Sequence, residues 1–226
     1  LEYFGKRVVR VGPRTEAGDT FVIEILDENP MELLHRIGAM PLPPYIRSSL
    51  TDLERYQTVY ARRMASAAAP TAGLHFTPEL MARIIAKGVV VETVELVVGL
   101  DTFKPISTDD PLDHLIHSEF YSVDQRVMDA CKEAKRVIAI GTTATRALES
   151  VAATGQLTGR TSLFITPGFQ WKVVDMMLTN FHLPKTSLLL MIESFIGTRW
   201  RNIYAEAISE QYRFLSFGDA MLLARS

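Results

Sequence analysis

The chain has 226 residues, 47% of them hydrophobic, which is enough to bury a sizeable core as one large domain or two small ones. Its formal net charge of −2 excludes the overall basicity that usually accompanies nucleic-acid binding, so a nucleic-acid partner must be held by local patches. The single cysteine, Cys131, excludes an internal disulfide framework, and the opening LEYFGKRVVRVGPR lacks the apolar stretch of a signal peptide; a cytoplasmic location is expected.

In chain order, KRVVRVG and DTFVIEILD alternate as two strands around the turn-forming PRTEAGD, a hairpin from a β-rich module over residues 1–28. The character changes near residue 29, where Asn29 can cap and Pro30 can open a helix through Ile37, stopped by the extended proline backbone of MPLPPYI. A second helix is predicted over 52–63. The small residues of AAAPTAGLHFT form a loop, after which Thr77 caps a helix with Pro78 at its first position and Gly88 past its end. VVVETVELVV, with its β-branched residues, reads as a strand, as does SEFYSV; DQRVMDACKEAK is an amphipathic helix, RVIAIG a short buried strand and TATRALESVAA a helix. TSLFI and VVDMML follow as strands, then helices over 186–196 and about 200–211. The apolar run in LTNFHLPKTSLLLMIESFIG falls short of the ~20 residues that cross a bilayer, so it is expected in the core and no membrane contact is expected. Strands alternating with helices predict an α/β class with a mainly parallel sheet and flanking helices over 29–226.

Several polar residues ask for an explanation beyond packing. RVIAIGTTATRALES runs strand, tight turn, helix, and a helix N-terminus offers free N–H groups and partial positive charge to an anion, with the Thr142 and Thr143 hydroxyls beside them. Arg146 opposes the helix dipole unless an anion lies nearby; the plainer alternative is a surface pair with Glu149. In HLIHSEFY, side chains two apart share a strand face, so His117, Glu119 and Tyr121 line one side and Phe120 points away. That face suits acid/base chemistry, because a carboxylate beside a histidine fixes its tautomer and raises its basicity; a metal site and a solvated strand face are the alternatives. His75 follows small residues that leave room for a planar ligand, unless it merely bonds a loop carbonyl. Asn180 and His182 end a strand before Pro184 and, with Lys185, emerge at the carboxyl end of a sheet, where open α/β sheets bind ligands.

Taken together, MPLPPYI, ERYQTVYA, AAPTAGLHFT, TFKPI, HLIHSEFY, GTTATRALES, TNFHLPKTSLLL and YRFLSFGDAMLL resemble, in order and spacing, the signature blocks of the S-adenosylmethionine:tRNA ribosyltransferase-isomerase family of queuosine biosynthesis, from about residue 29 to the end. The resemblance implies an enzyme that moves the ribosyl part of S-adenosylmethionine onto a 7-aminomethyl-7-deazaguanine wobble base of tRNA, releasing adenine and methionine and giving epoxyqueuosine. It implies an α/β domain with an inserted β-barrel, no metal and no cofactor beyond S-adenosylmethionine as co-substrate, and a monomer is expected. On this view residues 1–28 are the last strands of the barrel, and two strands cannot close one, so residues 1–226 alone are expected to lack transferase turnover. A base must take a proton from the 5′ carbon beside the sulfonium, and the departing adenine needs a donor; His117, Glu119, His75 and His182 are the candidates for these roles. Thr142, Thr143, Arg146, Asn180, Tyr121 and Lys185 are candidates for binding. The sequence departs from the family's LHVGLGTF at Val97, which stands for histidine, and at Asp101, which stands for glycine. Those departures motivate a second reading, a diverged relative that binds S-adenosylmethionine or RNA without this turnover.

Overall fold

The computed structural model describes residues 2–3, 5–15, 21–39, 42–43, 45–46, 52–63, 65–99 and 118–225. The chain forms two compact units, Leu1–Pro41 and Leu42–Ser226. In the first, β1 (Glu2–Tyr3) pairs antiparallel with β2 (Lys6–Arg7), and β3 (Val9–Arg14) with β4 (Phe21–Ile25). Val9 faces Ile25 and Val11 faces Ile23, the hairpin that the alternation predicts. The helix α1 (Pro30–Ile37) lies in this unit and opens on Pro30, but Asn29 makes no side-chain cap; its N–H instead donates to Asp27 Oδ1 at 3.0 Å.

The second unit holds two three-stranded sheets among its described residues. One contains β5 (Glu95–Val97), β6 (Glu119–Ser122) and β8 (Thr158–Thr161), antiparallel throughout, with β6 central. The other contains β7 (Ile138–Ile140), β9 (Met176–Asn180) and β10 (Ala220–Ala224); its central β9 runs parallel to β7 and antiparallel to β10. Five α-helices accompany them: α2 (Pro78–Ala86), α3 (Gln125–Glu133), α4 (Gly141–Thr154), α5 (Ser187–Ile196) and α6 (Trp200–Ser209).

The predicted mainly parallel sheet with flanking helices is therefore overturned. Only β7 with β9 is parallel; the other strand pairings among the described residues are antiparallel. Strand–helix alternation specifies a parallel sheet when each helix returns the chain to the sheet it left. Here α3 carries the chain from β6 in one sheet to β7 in the other, and α4 carries it back to β8. Smaller corrections share that cause, a missing or unforeseen partner. Of 89–98 only Glu95–Val97 is strand, because Val89, Val90 and Val91 have no ladder and stand exposed. The helix predicted over 52–63 is a single 3-10 turn, Leu53–Tyr56, with the Asp52 carboxylate accepting from Glu54 N–H at 3.0 Å. β8 ends at Thr161, whose Oγ1 accepts from Leu163 N–H at 3.1 Å and turns the chain out of the sheet, so TSLFI is not a strand. β10 is not predicted at all; it buries Met221 and Leu223 and exposes Leu222.

Strong local signals survive. Thr77 accepts from Leu80 N–H at 3.2 Å ahead of Pro78 and so caps α2. Thr186 likewise accepts from Leu189 N–H at 3.3 Å, and α5 then buries Leu189, Met191, Ile192, Phe195 and Ile196. No helix among the described residues is long and apolar enough to cross a membrane.

The helix α4 is the common element, touching β5 and β8 of one sheet and β7 and β9 of the other. Its Glu149 is fully buried, and the carboxylate accepts from three backbone N–H groups: Val173 at 2.9 Å and Val174 at 3.0 Å on Oε1, and Lys172 at 3.1 Å on Oε2. Removing it leaves those donors buried and unpaired, at about 1–3 kcal/mol each where water cannot reach them. Glu149→Ala is expected to lower the unfolding free energy by at least about 3 kcal/mol in urea titration, and Glu149→Gln, which keeps one acceptor oxygen, by less. A loss below about 1 kcal/mol for the alanine variant would show that water or other groups replace the carboxylate.

Candidate active site

Because β7 and β9 are parallel, their carboxyl ends lie together. Ile140 passes directly into α4 at Gly141, whose φ of +90° is a conformation that side chains with a Cβ rarely adopt. The first turn of α4 has no side-chain cap, so its N–H groups remain available at this end. At the end of β9 stand Asn180 and, two residues on, His182. Facing them is the small-residue segment 68–72, which leads into a 3-10 helix, Thr71–His75, pressed against Tyr60: a Cβ on Gly73 would come within 2.0 Å of the Tyr60 hydroxyl. These elements enclose a cleft of about 180 Å³.

Of the candidates from sequence, Thr142, Thr143, Asn180 and His182 line this cleft, with Ala68, Ala72, Thr179, Tyr45 and Ser216 among their neighbours. Among the described residues, no aspartate, glutamate, lysine or arginine lines it.

Asn180 is 2% exposed and joins three segments. Its Oδ1 accepts from Thr71 Oγ1 at 3.2 Å, and its Nδ2 lies 3.5 Å from Asp219 O and 3.2 Å from His75 Nε2. The Asp219 carbonyl can only accept, which fixes the amide orientation; Nδ2 then donates to His75 Nε2 and the His75 ring proton sits on Nδ1. His75 is itself exposed and buttresses Asn180 rather than lining the cleft. His182 Nε2 is 2.9 Å from Thr179 Oγ1, and its backbone N–H donates to the Tyr204 hydroxyl at 3.0 Å. Burial of the ring lowers the His182 pKa to about 4, so the imidazole is neutral at physiological pH; burial likewise pushes the Tyr204 phenol up to about 12.

The other candidates lie apart from the cleft. Glu119 and Tyr121 share the buried face of β6, as the period of two predicts, but neither lines the cleft. The Glu119 carboxylate is ion-paired with Arg146 and accepts from Gly99 N–H at 3.0 Å. Arg146 therefore pairs across 27 residues and not with Glu149, which faces the opposite way toward 172–174. Its Nε and Nη2 are buried without a hydrogen-bond partner among the described residues. The Tyr121 hydroxyl donates to Gln156 O at 2.9 Å and lies 3.2 Å from Thr154 Oγ1, tying β6 to the end of α4. Lys185 is exposed beside the rim residues Pro184 and Thr186, at φ +59°. His117 lies outside the described residues. Among the described residues, no group of three or more His, Cys, Asp or Glu is arranged to hold a metal ion.

Sequence reasoning missed Tyr45, Thr71, Thr179 and Ser216. Tyr45 and Ser216 do sit in two of the resembling blocks, MPLPPYI and YRFLSFGDAMLL, and the hydroxyl in a turn before Gly218 and Asp219 was a usable signal.

Comparison with known proteins follows the same chain segments. A family model described as queuosine biosynthesis protein matches residues 4–223. The S-adenosylmethionine:tRNA ribosyltransferase-isomerase of Acaryochloris marina is 50% identical over 91% of this chain and 58% of its own length. The protein of the same name from Desulforamulus reducens is 48% identical over 97% of this chain and 67% of its own length. The crystal structure of an S-adenosylmethionine tRNA ribosyltransferase from Thermotoga maritima aligns with a TM-score of 0.56 at 40% identity, over 67% of this chain and 50% of that one. The chain thus spans 58% to 67% of the length of these curated relatives. With a family match across nearly its whole length, the chain belongs to the queuosine biosynthesis protein family.

Proposed function

We propose that this chain is the part of a tRNA-modifying transferase that holds S-adenosylmethionine while its ribosyl moiety passes to a 7-aminomethyl-7-deazaguanine wobble base, with release of adenine and methionine and formation of epoxyqueuosine. The observation that carries this reading is the cleft at the carboxyl ends of β7 and β9, walled by Ala68 to Ala72 and lined by Thr142, Thr143, Asn180 and His182. A flat wall of small side chains suits a planar base, and the uncapped first turn of α4 suits an anionic group such as the methionyl carboxylate. The relatives' names supply the substrate pair, S-adenosylmethionine and tRNA.

The roles divide by environment. His182, with a pKa near 4, is too weak a base to take a proton from the 5′ carbon and serves as a neutral hydrogen-bonding group. His75 lies outside the cleft with its Nε2 lone pair taken by Asn180, so of the candidate histidines the base is left to His117. Glu119 acts by holding Arg146, whose Nε and Nη2, without partners among the described residues, support its assignment to an anion. Tyr121, committed to Gln156 and Thr154, is a packing residue. The tRNA phosphates are assigned to the rim of the cleft, where Lys185 is exposed beside Pro184 and Thr186.

Deleting the gene is expected to remove epoxyqueuosine from the cell's tRNA and to leave 7-aminomethyl-7-deazaguanine in its place, as read by mass spectrometry of tRNA nucleosides. An unchanged nucleoside profile would sink the proposal.

The His182 environment also predicts a pH dependence. The folded pKa, about 4, lies below the ordinary 6.5, so the unfolded chain takes up the proton first. Stability is therefore full above pH 6.5 and declines as pH falls toward 4. Between pH 7 and pH 5 this one group removes at most about 2 kcal/mol. Urea unfolding of His182→Gln should show a shallower loss over that interval than the wild type; parallel curves would mean that the ring is not held neutral.

A further inference from the structure

Thr179, the penultimate residue of β9, lines the cleft and is 1% exposed. Its hydroxyl has one hydrogen-bond partner among the described residues, His182 Nε2 at 2.9 Å. The two ways of sharing a proton across this contact differ. If the ring donates, the threonine proton is left without an acceptor where water hardly reaches, and a buried donor carries that cost in full. If the hydroxyl donates, Nε2 accepts, nothing at the contact is unpaired, and the neutral ring carries its proton on Nδ1. Thr179 therefore favours the Nδ1–H form.

Nδ1 itself has no partner among the described residues and is not among their buried unpaired polar atoms, so its proton meets the open space of the cleft that His182 lines. Burial lowers the His182 pKa to about 4, and the ring holds a single proton at neutral pH. The backbone that carries the ring is fixed. The His182 N–H donates to the Tyr204 hydroxyl at 3.0 Å, and the preceding Phe181, 3% exposed, packs against the Tyr204 ring at 5.4 Å and the Phe214 ring at 5.1 Å. A donor held in this way needs no rearrangement when a ligand arrives.

We infer that Thr179 is a positioning residue, which fixes the His182 tautomer so that Nδ1–H is directed into the cleft and donates a hydrogen bond to an acceptor nitrogen of the heteroaromatic base that leaves the ribosyl group. This rests on the proposed function, which makes His182 a neutral hydrogen-bonding group. When the bond from the sugar carbon to the base nitrogen breaks, its electron pair stays with the base. The charge spreads over the ring nitrogens, and a donor already aimed at one of them stabilises the departing group. The imidazole keeps its proton throughout; the released base takes one from water. Ala68, Ala69 and Ala72, in the wall facing His182, leave a flat apolar surface for the ring of that base. A single neutral N–H also serves a carboxylate oxygen, so methionine is the control ligand.

Nitrogen-15 NMR of the histidine rings in the 226-residue chain, with the His182 signals assigned by their loss in His182→Gln, reads the tautomer directly. Near neutral pH the wild-type ring is expected to carry its proton on Nδ1 with Nε2 bare. Thr179→Ser is expected to keep that pattern, and Thr179→Val, which has the same shape without the hydroxyl, to spread the proton over both nitrogens. Adenosine is expected to shift the Nδ1 signal and methionine to leave it in place. In isothermal titration His182→Phe is expected to weaken adenosine and S-adenosylmethionine by about three- to tenfold, the worth of one neutral hydrogen bond, without changing methionine. A wild-type ring protonated on Nε2 overturns the inference, as does a single Nδ1–H form that persists in Thr179→Val. Adenosine that binds without moving the Nδ1 signal also overturns it and leaves the functional reading standing. Wild-type protein that binds neither S-adenosylmethionine nor adenosine overturns the functional reading and the contact to the base with it. Should Thr179→Val fail to fold, the wild-type tautomer and its response to adenosine decide.

Discussion

Glu149 carries a carboxylate into the core at 0% exposure, and the larger unit is organised around how that carboxylate is held. An ion removed from water costs several kcal/mol unless its lone pairs are met, and here the N–H groups of residues 172–174 meet them. That contact pins the segment entering β9 against α4. The remaining polar groups of the helix repeat the device toward the second sheet: Arg146 pairs with Glu119 of β6, and Ser150 Oγ lies 2.7 Å from Thr161 Oγ1 of β8. A helix between two sheets has few exposed faces, so its polar residues must find partners in both. In finding them they set the angle at which the N-terminus of α4 meets the end of β9.

The cleft follows from that placement. One parallel pair, β7 with β9, brings Gly141 to Thr143 and Asn180 to His182 to the same end, although the sheet as a whole is mixed. The rule that ligands gather at carboxyl ends of strands needs only this pair, because what it requires is a strand entering a helix beside another strand's exit. Among the described lining residues, polarity without charge follows in turn. Asn180 has its amide engaged by Thr71, His75 and Asp219, and His182 is held neutral, so the remaining polarity of the cleft comes from hydroxyls and the α4 backbone.

The division between what was legible in the sequence and what was not runs along contact distance. Caps and proline starts are local, and α1, α2 and α5 fall where Pro30, Thr77 with Pro78, and Thr186 put them. The alternation of Glu119 and Tyr121 is local too, and both are buried on one face. Sheet membership is not local: nothing in DQRVMDACKEAK states that it leads from one sheet into another, and AMLLA becomes a strand only because β9 lies beside it. The same limit governs the site. Thr142, Thr143, Asn180 and His182 could be found because each closes a strand signal in its own segment. Tyr45 and Ser216 stand 171 residues apart, and Arg146 and Glu119 stand 27 apart, so neither pairing has a sequence period.

The buried polar atoms left without partners sharpen the distinction between folding and function. Among the described residues these include two nitrogens of Arg146, whereas Glu149, more deeply buried, is fully engaged. A chain that meets a core carboxylate with three amide donors does not lack the means to meet a guanidinium. A buried N–H without an acceptor costs about 1–3 kcal/mol, so selection for stability alone does not account for Arg146 at this place. Leu215, at φ +72° in the cleft wall beside Ser216, carries a second cost of the same kind, and such costs are expected where a site, rather than the core, sets the residue.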